Sequence, residues 1–212
     1  MKLTSSLAVL AAAGAQAHYT FPRAGTGGSL SGEWEVVRMT ENHYSHGPVT
    51  DVTSPEMTCY QSGVQGAPQT VQVKAGSQFT FSVDPSIGHP GPLQFYMAKV
   101  PSGQTAATFD GTGAVWFKIY QDGPNGLGTD SITWPSAGKT EVSVTIPSCI
   151  EDGEYLLRVE HTPLPTAPAA QNRARSSPSP AAYKATDPGI LFQLYWPIPT
   201  EYINPGPAPV SC

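Results

Sequence analysis

A chain of 212 residues is long enough for one domain with a substantial core, and its net charge of -5, with 13% charged residues, leaves little basic surface. Nucleic-acid affinity rests on many phosphate contacts, so this balance excludes a polyanion-binding surface and favours a neutral or weakly charged partner. The 22 prolines and 21 glycines point to many turns and short extended segments rather than long helices.

The first residues, MKLTSSLAVLAAAGAQA, carry a lysine near the start, an apolar stretch over 7–13 and an Ala15-Gln16-Ala17 ending. That is the three-part pattern of a secretory signal peptide, assigned here to residues 1–17. The apolar run falls short of the about 20 residues that cross a bilayer, and no later run reaches that length. Cleavage after Ala17 predicts a secreted, extracellular protein without a membrane segment, beginning His18-Tyr19-Thr20-Phe21-Pro22.

Residues 34–55 form a long loop region ahead of the first clear strand, and long loops often carry binding surfaces. Alternating or β-branched stretches then recur at 70–73, 78–83, 93–100, 114–120, 141–146 and 155–160. Within 78–83, Phe79, Phe81 and Val83 share one face while Thr80 and Ser82 share the other, so the first face is predicted to be core. Connections such as Pro101-Ser102-Gly103 and Asp122-Gly123-Pro124-Asn125-Gly126 have the chemistry of tight turns. This spacing predicts an all-β fold, an antiparallel β-sandwich with long loops in a single domain over residues 18–212.

Residues 162–182, TPLPTAPAAQNRARSSPSPAA, break the pattern: they are rich in Pro, Ala and Ser and lack apolar alternation. They read as a linker-like, disordered segment. Beyond it, residues 189–196, GILFQLYW, predict a further strand ended by Pro197. The three cysteines, Cys59, Cys149 and Cys212, allow one disulfide in an oxidising compartment and leave one thiol over.

The chemistry centres on the mature N-terminus. A terminal His18 offers an α-amine and an imidazole, two nitrogens that can chelate one metal ion, and an α-amine of pKa near ~7.7 gives up its proton to a metal at little cost. A second imidazole completes a three-nitrogen site. His89, in the rigid turn Ile87-Gly88-His89-Pro90-Gly91-Pro92, is the candidate. Three nitrogens in a tetragonal arrangement favour Cu(II), which heads the divalent affinity order. Taken singly, either histidine reads as an ordinary loop residue; together, with His18 directly behind an Ala-x-Ala site, they point to one shared metal. His43 and His46, spaced i, i+3, are rivals for the ligand role, with a surface-loop assignment preferred.

The strings HYTFPR, TENHYSHGPVTDVTSPEMTCY, GHPGPLQFYMAKVP, AVWFKIYQDG, TIPSCIEDGEYLLRVEH and AYKATDPGILFQLYWPIPTEYINPGP are long and specific. Over most of its length the chain resembles the lytic polysaccharide monooxygenases of auxiliary activity family 9, formerly glycoside hydrolase family 61. The resemblance implies an immunoglobulin-like β-sandwich with a flat face, on which His18 and His89 hold one copper. It implies that dioxygen or hydrogen peroxide, with electrons from an external donor, drives hydrogen abstraction at C1 or C4 of a sugar and breaks cellulose or a related β-linked glucan. A secreted monomer is expected.

The departures are as informative as the match. Family members usually continue after the RVEH stretch with a histidine near the copper and then a Gln-x-Tyr strand whose tyrosine is axial to the metal, followed by a cysteine. Here residues 162–182 stand in that place, and Pro165 occupies the position expected for the histidine. Gln193-x-Tyr195 has the Gln-x-Tyr spacing and could supply the axial tyrosine, but its surroundings match the family's C-terminal extension, so a place for Tyr195 away from the metal is preferred. The family bridge from the position of Cys59 loses its partner, so the resemblance implies pairing of Cys149 with Cys212 and an unpaired Cys59. Tyr19 and Tyr202 match positions near the family's binding face, with local packing the competing reading.

Two other functions compete. One is a copper- or carbohydrate-binding relative without turnover, lacking the nearby histidine and axial tyrosine. The other is a glycoside hydrolase, which needs two carboxylates about 5 to 9.5 Å apart. Asp122, Asp130, Glu151, Asp152 and Glu154 are available, but they lie in turns and read as solvated loop residues.

Overall fold

The structure is a computed structural model that describes residues 18–60, 66–164 and 183–212. The predicted signal peptide, Pro165 and most of the linker-like segment lie outside the described residues. Six strands form: β1 (Ala24–Thr26), β2 (Gln78–Ser82), β3 (Leu93–Lys99), β4 (Trp116–Gln121), β5 (Glu141–Thr145) and β6 (Tyr155–His161). They make two antiparallel three-stranded sheets, ordered β1-β2-β5 and β4-β3-β6. No α-helix is present among the described residues, and the one helical turn is a 3-10 turn at Pro55–Met57 capped by Ser54.

The predicted alternation holds in β2. Phe79 and Phe81 are buried, while the Thr80 hydroxyl bonds across the strand pair to that of Ser143 at 2.8 Å. Val142 and Val144 continue this apolar face on β5, and it meets Leu93, Phe95, Met97 and Ile119 of the other sheet. That inter-sheet layer is the main core. Burial of side chains of this size stabilises by about 1.5 to 3 kcal/mol each, before conformational entropy is set against it.

β3 is buried on both faces, which alternation does not reveal. Its second face packs Tyr96 against Val49, Val52, Met57, Tyr183 and Ile190, so loops and the C-terminal strap 183–212 form a third layer. The strap is held by polar bonds: the Gln94 amide nitrogen donates to the Pro205 carbonyl at 2.9 Å, and the Lys118 ammonium donates to the same oxygen at 2.7 Å. Burial pushes the Lys118 ammonium down to about 8 and the Glu160 carboxyl up to about 7. Arg158 spreads its guanidinium between the Tyr96 and Trp116 rings, at 4.7 and 4.5 Å, and pairs with Glu160 at 3.3 Å.

Two predicted strands do not form. Residues 70–73 run along the sandwich with Val71 and Val73 against the core, yet enter no ladder, because no neighbouring described strand lies beside them. Residues 189–196 form turns and bends. Ile190 plugs the third layer, while Leu191, Tyr195 and Trp196 face outward. Conversely β1, three residues long, is too short to stand out in the sequence. Residues 162–164, the first three of the linker-like segment, belong to the packed fold. Thr162 and Leu164 are buried and donate backbone bonds to the Pro92 and Pro90 carbonyls at 3.1 and 2.8 Å.

Candidate metal centre

His18 sits at the entry to the sandwich, fixed by its neighbours in the chain. Thr20 and Asp84 exchange backbone bonds of 3.0 and 2.9 Å, an isolated bridge that ties the N-terminal segment to the end of β2. Tyr19 turns inward, packs edge-on against Phe21 at 6.1 Å, and its hydroxyl bonds to Nδ1 of His161. His89 is carried on the turn between β2 and β3, braced on both sides. Ile87 donates to the Lys139 carbonyl and Gly138 donates back to the Ile87 carbonyl, at 3.0 and 2.8 Å.

Beyond the histidine, Gly91 makes the turn possible. Its φ is +151° and a Cβ there would fall 1.9 Å from the Thr162 carbonyl oxygen, so only glycine lets β6 pass this closely.

These supports bring the His18 and His89 rings to 6.1 Å between centroids, inclined by 35°. A metal–nitrogen bond of about 2.0 Å, with roughly 1.1 Å more from ring nitrogen to centroid, allows two imidazoles on opposite sides of one ion to lie up to about 6.2 Å apart. The spacing therefore fits a shared ion. Among the described residues no three His, Cys, Asp or Glu side chains converge as a metal cluster, so a third donor has to come from elsewhere. The His18 nitrogen is an amide in the full chain and is no such donor there.

His161 is the neighbour that sequence reasoning passed over. It ends β6, is 6% exposed, and stacks edge-on with Tyr19 at 5.5 Å. Burial, reinforced by His89 nearby, pushes its imidazole down to about 3, so it stays neutral. The only sequence signal for it is its place at the end of the RVEH stretch.

The other candidates are placed elsewhere. His43 Nδ1 donates to the Thr40 carbonyl at 2.7 Å and its ring leans on Tyr44, while His46 sits in the same loop with φ of 54°. Tyr195 is half-exposed on the C-terminal strap. Tyr202 packs edge-on against Trp134 and Phe192 at 5.1 and 4.8 Å. Tyr19 and Tyr202 are thus both used in internal packing. The carboxylates of the hydrolase reading serve the fold: Asp122 is buried and accepts from the Leu93 amide at 2.6 Å, Glu151 pairs with Lys99, and Glu154 accepts from the Ala106 amide. Cys149 and Cys212 form a disulfide, and Cys59 is a free thiol.

Residues 14–176 match the sequence profile of Auxiliary Activity family 9 (formerly GH61). AA9 family lytic polysaccharide monooxygenase A of Thermothielavioides terrestris is 64% identical, with all of both chains covered. The chain belongs to Auxiliary Activity family 9. Its alignment with that relative runs over 233 residues against the 212 present here, so at least 21 positions of the relative have no counterpart. AA9 family lytic polysaccharide monooxygenase H of Malbranchea cinnamomea is 48% identical over 98% of each chain. Among solved structures, the extended catalytic domain of H. jecorina LPMO9A matches with a TM-score of 0.75 and 28% identity, covering 92% of this chain and 91% of that one. The two-sheet sandwich is thus the family fold, and oxidative cleavage of polysaccharide is the family activity.

Proposed function

We propose that the mature, secreted protein is a copper-dependent monooxygenase that cleaves cellulose or a related β-linked glucan at C1 or C4, drawing electrons from an external donor. The observation that carries this reading is the 6.1 Å approach of the His18 and His89 rings at the end of the sandwich. His18, through its freed amine and imidazole, and His89, through its imidazole, would hold one copper per chain. Bound there, copper supplies the one-electron chemistry that turns dioxygen or hydrogen peroxide into an agent able to take hydrogen from a sugar carbon.

The chain's own part is placement. The Thr20–Asp84 bridge and the Tyr19–His161 bond hold the terminus, and the Gly91 turn aims His89. His161, neutral and buried, adds no competing positive charge beside the ligands. The protein is proposed to act as an extracellular monomer on an insoluble polysaccharide.

The test is to load the purified secreted form with copper and incubate it with cellulose and ascorbate. The expected result is one copper per chain on a protein whose first residue is His18, with oxidised oligosaccharides released. Loss of copper in His89→Ala completes it. Tight binding of copper without oxidised products would favour the non-catalytic copper-binding alternative, and a terminus other than His18 removes the site.

A further inference from the structure

The clearest unexplained feature lies along β6. The bonds Thr162 N–H to Pro92 C=O and Val100 N–H to Glu154 C=O bracket its ladder with β3. With the two-residue period of an antiparallel pair, residues 154, 156, 158, 160 and 162 direct their backbone groups at β3. The N–H and C=O groups of Tyr155, Leu157, Val159 and His161 therefore point the other way. Among the described residues that outer edge pairs with no strand.

Beside the edge lies a cavity of about 1120 Å³, lined by all of β6 and, across from it, by residues 69–75. Seven residues of strand, at about 3.3 Å each, with 4.8 Å between strands and roughly 10 Å per sheet layer, fill on the order of 1100 Å³. The cavity has the size of one strand as long as β6.

Its walls have a strand's chemistry. Val71, Phe79, Met97, Leu157 and Val159 line one side, and Leu157 and Val159 are only half-buried although they face the inter-sheet core. The residues lining it also hold buried polar atoms without a hydrogen-bond partner among the described residues: Asn42 Oδ1, His46 Nδ1 and Arg158 Nε. Of these, Asn42 is more than nine-tenths buried. An apolar ligand would leave those atoms and four backbone pairs unsatisfied, whereas an extended polypeptide supplies partners to both. Residues 70–73, strand-like in sequence yet outside any ladder, border the same space.

We infer that the unpaired edge of β6 is a docking site for an extended peptide strand of about seven residues from a separate polypeptide, with side chains alternating apolar and polar. The chain's own residues 165–182 do not suit the role, since they contain no Val, Ile, Leu, Met, Phe, Tyr or Trp and include four prolines. At the β6 start, Asp152 and Glu154 line the cavity, with Glu151 already paired to Lys99, so a cationic peptide end suits that mouth. Strand addition to an exposed edge is a known recognition mode, with ladder bonds giving affinity and alternate side chains giving specificity.

The probe is an amide-capped synthetic peptide of alternating valine and threonine with a lysine at each end, added to the full mature protein at up to about 1 mM. Residue-resolved amide exchange is the readout. Exchange at Tyr155, Leu157, Val159 and His161 is expected to slow by roughly tenfold or more with peptide. The same peptide with N-methylated backbone amides keeps its side chains but loses its donors, and is expected to give no such protection. No slowing with the unmodified peptide, or equal slowing with the methylated one, overturns the inference. Protection of the same amides that grows with protein concentration alone overturns it in favour of a second copy of this chain.

Discussion

Replacing Gly91 by alanine should separate two costs that glycine avoids. Gly28, with φ of +80°, has open space where a Cβ would go, so Gly28→Ala meets only the backbone preference, about 1 kcal/mol. Gly91 has φ of +151° and its Cβ would lie 1.9 Å from the Thr162 carbonyl oxygen and 3.3 Å from Cε1 of His161. Backbone atoms cannot swing aside as a side-chain tip can, so the His89 turn and the end of β6 must move apart. That breaks the bonds from Thr162 to Pro92 and from Leu164 to Pro90, at about 1 kcal/mol each, and lifts buried Leu164 from its site. Adding the backbone strain, Gly91→Ala should cost about 3 to 5 kcal/mol, several times the cost of Gly28→Ala. Urea denaturation of the two variants beside the parent reads this directly, and copper titration should show weaker binding in Gly91→Ala only. If both variants lose equal stability and Gly91→Ala binds copper as the parent does, the account of the turn is wrong.

Opening the Cys149–Cys212 disulfide with alanine at both positions frees a loop of 63 residues, for which chain entropy gives a loss of about 4 kcal/mol in urea denaturation. A loss under about 1 kcal/mol would show that the strap is held by its buried polar bonds instead. Burial raises the Asp122 carboxyl to about 6 from its ordinary 3.8. A raised carboxyl stabilises most below its unfolded pKa, and that contribution fades as pH rises through the folded value. The parent should therefore lose about 2 to 3 kcal/mol between pH 4 and pH 7 that Asp122→Asn does not lose. Parallel pH profiles for the two proteins would contradict this.

Local chemistry made much of the molecule legible without coordinates. Phe79, Phe81 and Val83 alternate with Thr80 and Ser82, and a period of two can bury only one face, so β2 and its core side followed directly. The same reasoning found the neighbouring strands to within a residue or two of their ends. The resemblance to the family supplied the Cys149–Cys212 pair, which geometry alone could not select from three cysteines. His18 and His89 could be proposed as partners because signal cleavage and a Gly/Pro turn are both local events, readable within a few residues.

What needed the tertiary structure was everything that depends on a distant neighbour. Residues 70–73 alternate as a strand should, yet a strand exists only where another backbone offers its ladder, and no described strand lies beside them. Residues 189–196 are apolar and aromatic, but Ile190 turns inward and Phe192 packs on Trp134 and Tyr202 while Tyr195 and Trp196 face solvent. Tyr19, which the sequence left between a binding face and local packing, is bonded to His161 at the far end of β6, across 142 positions of sequence. Composition and periodicity describe what a segment can do with its own side chains; pairing, burial on a second face and the closeness of His18 to His89 are set by segments remote in the chain, and only their packing decides them.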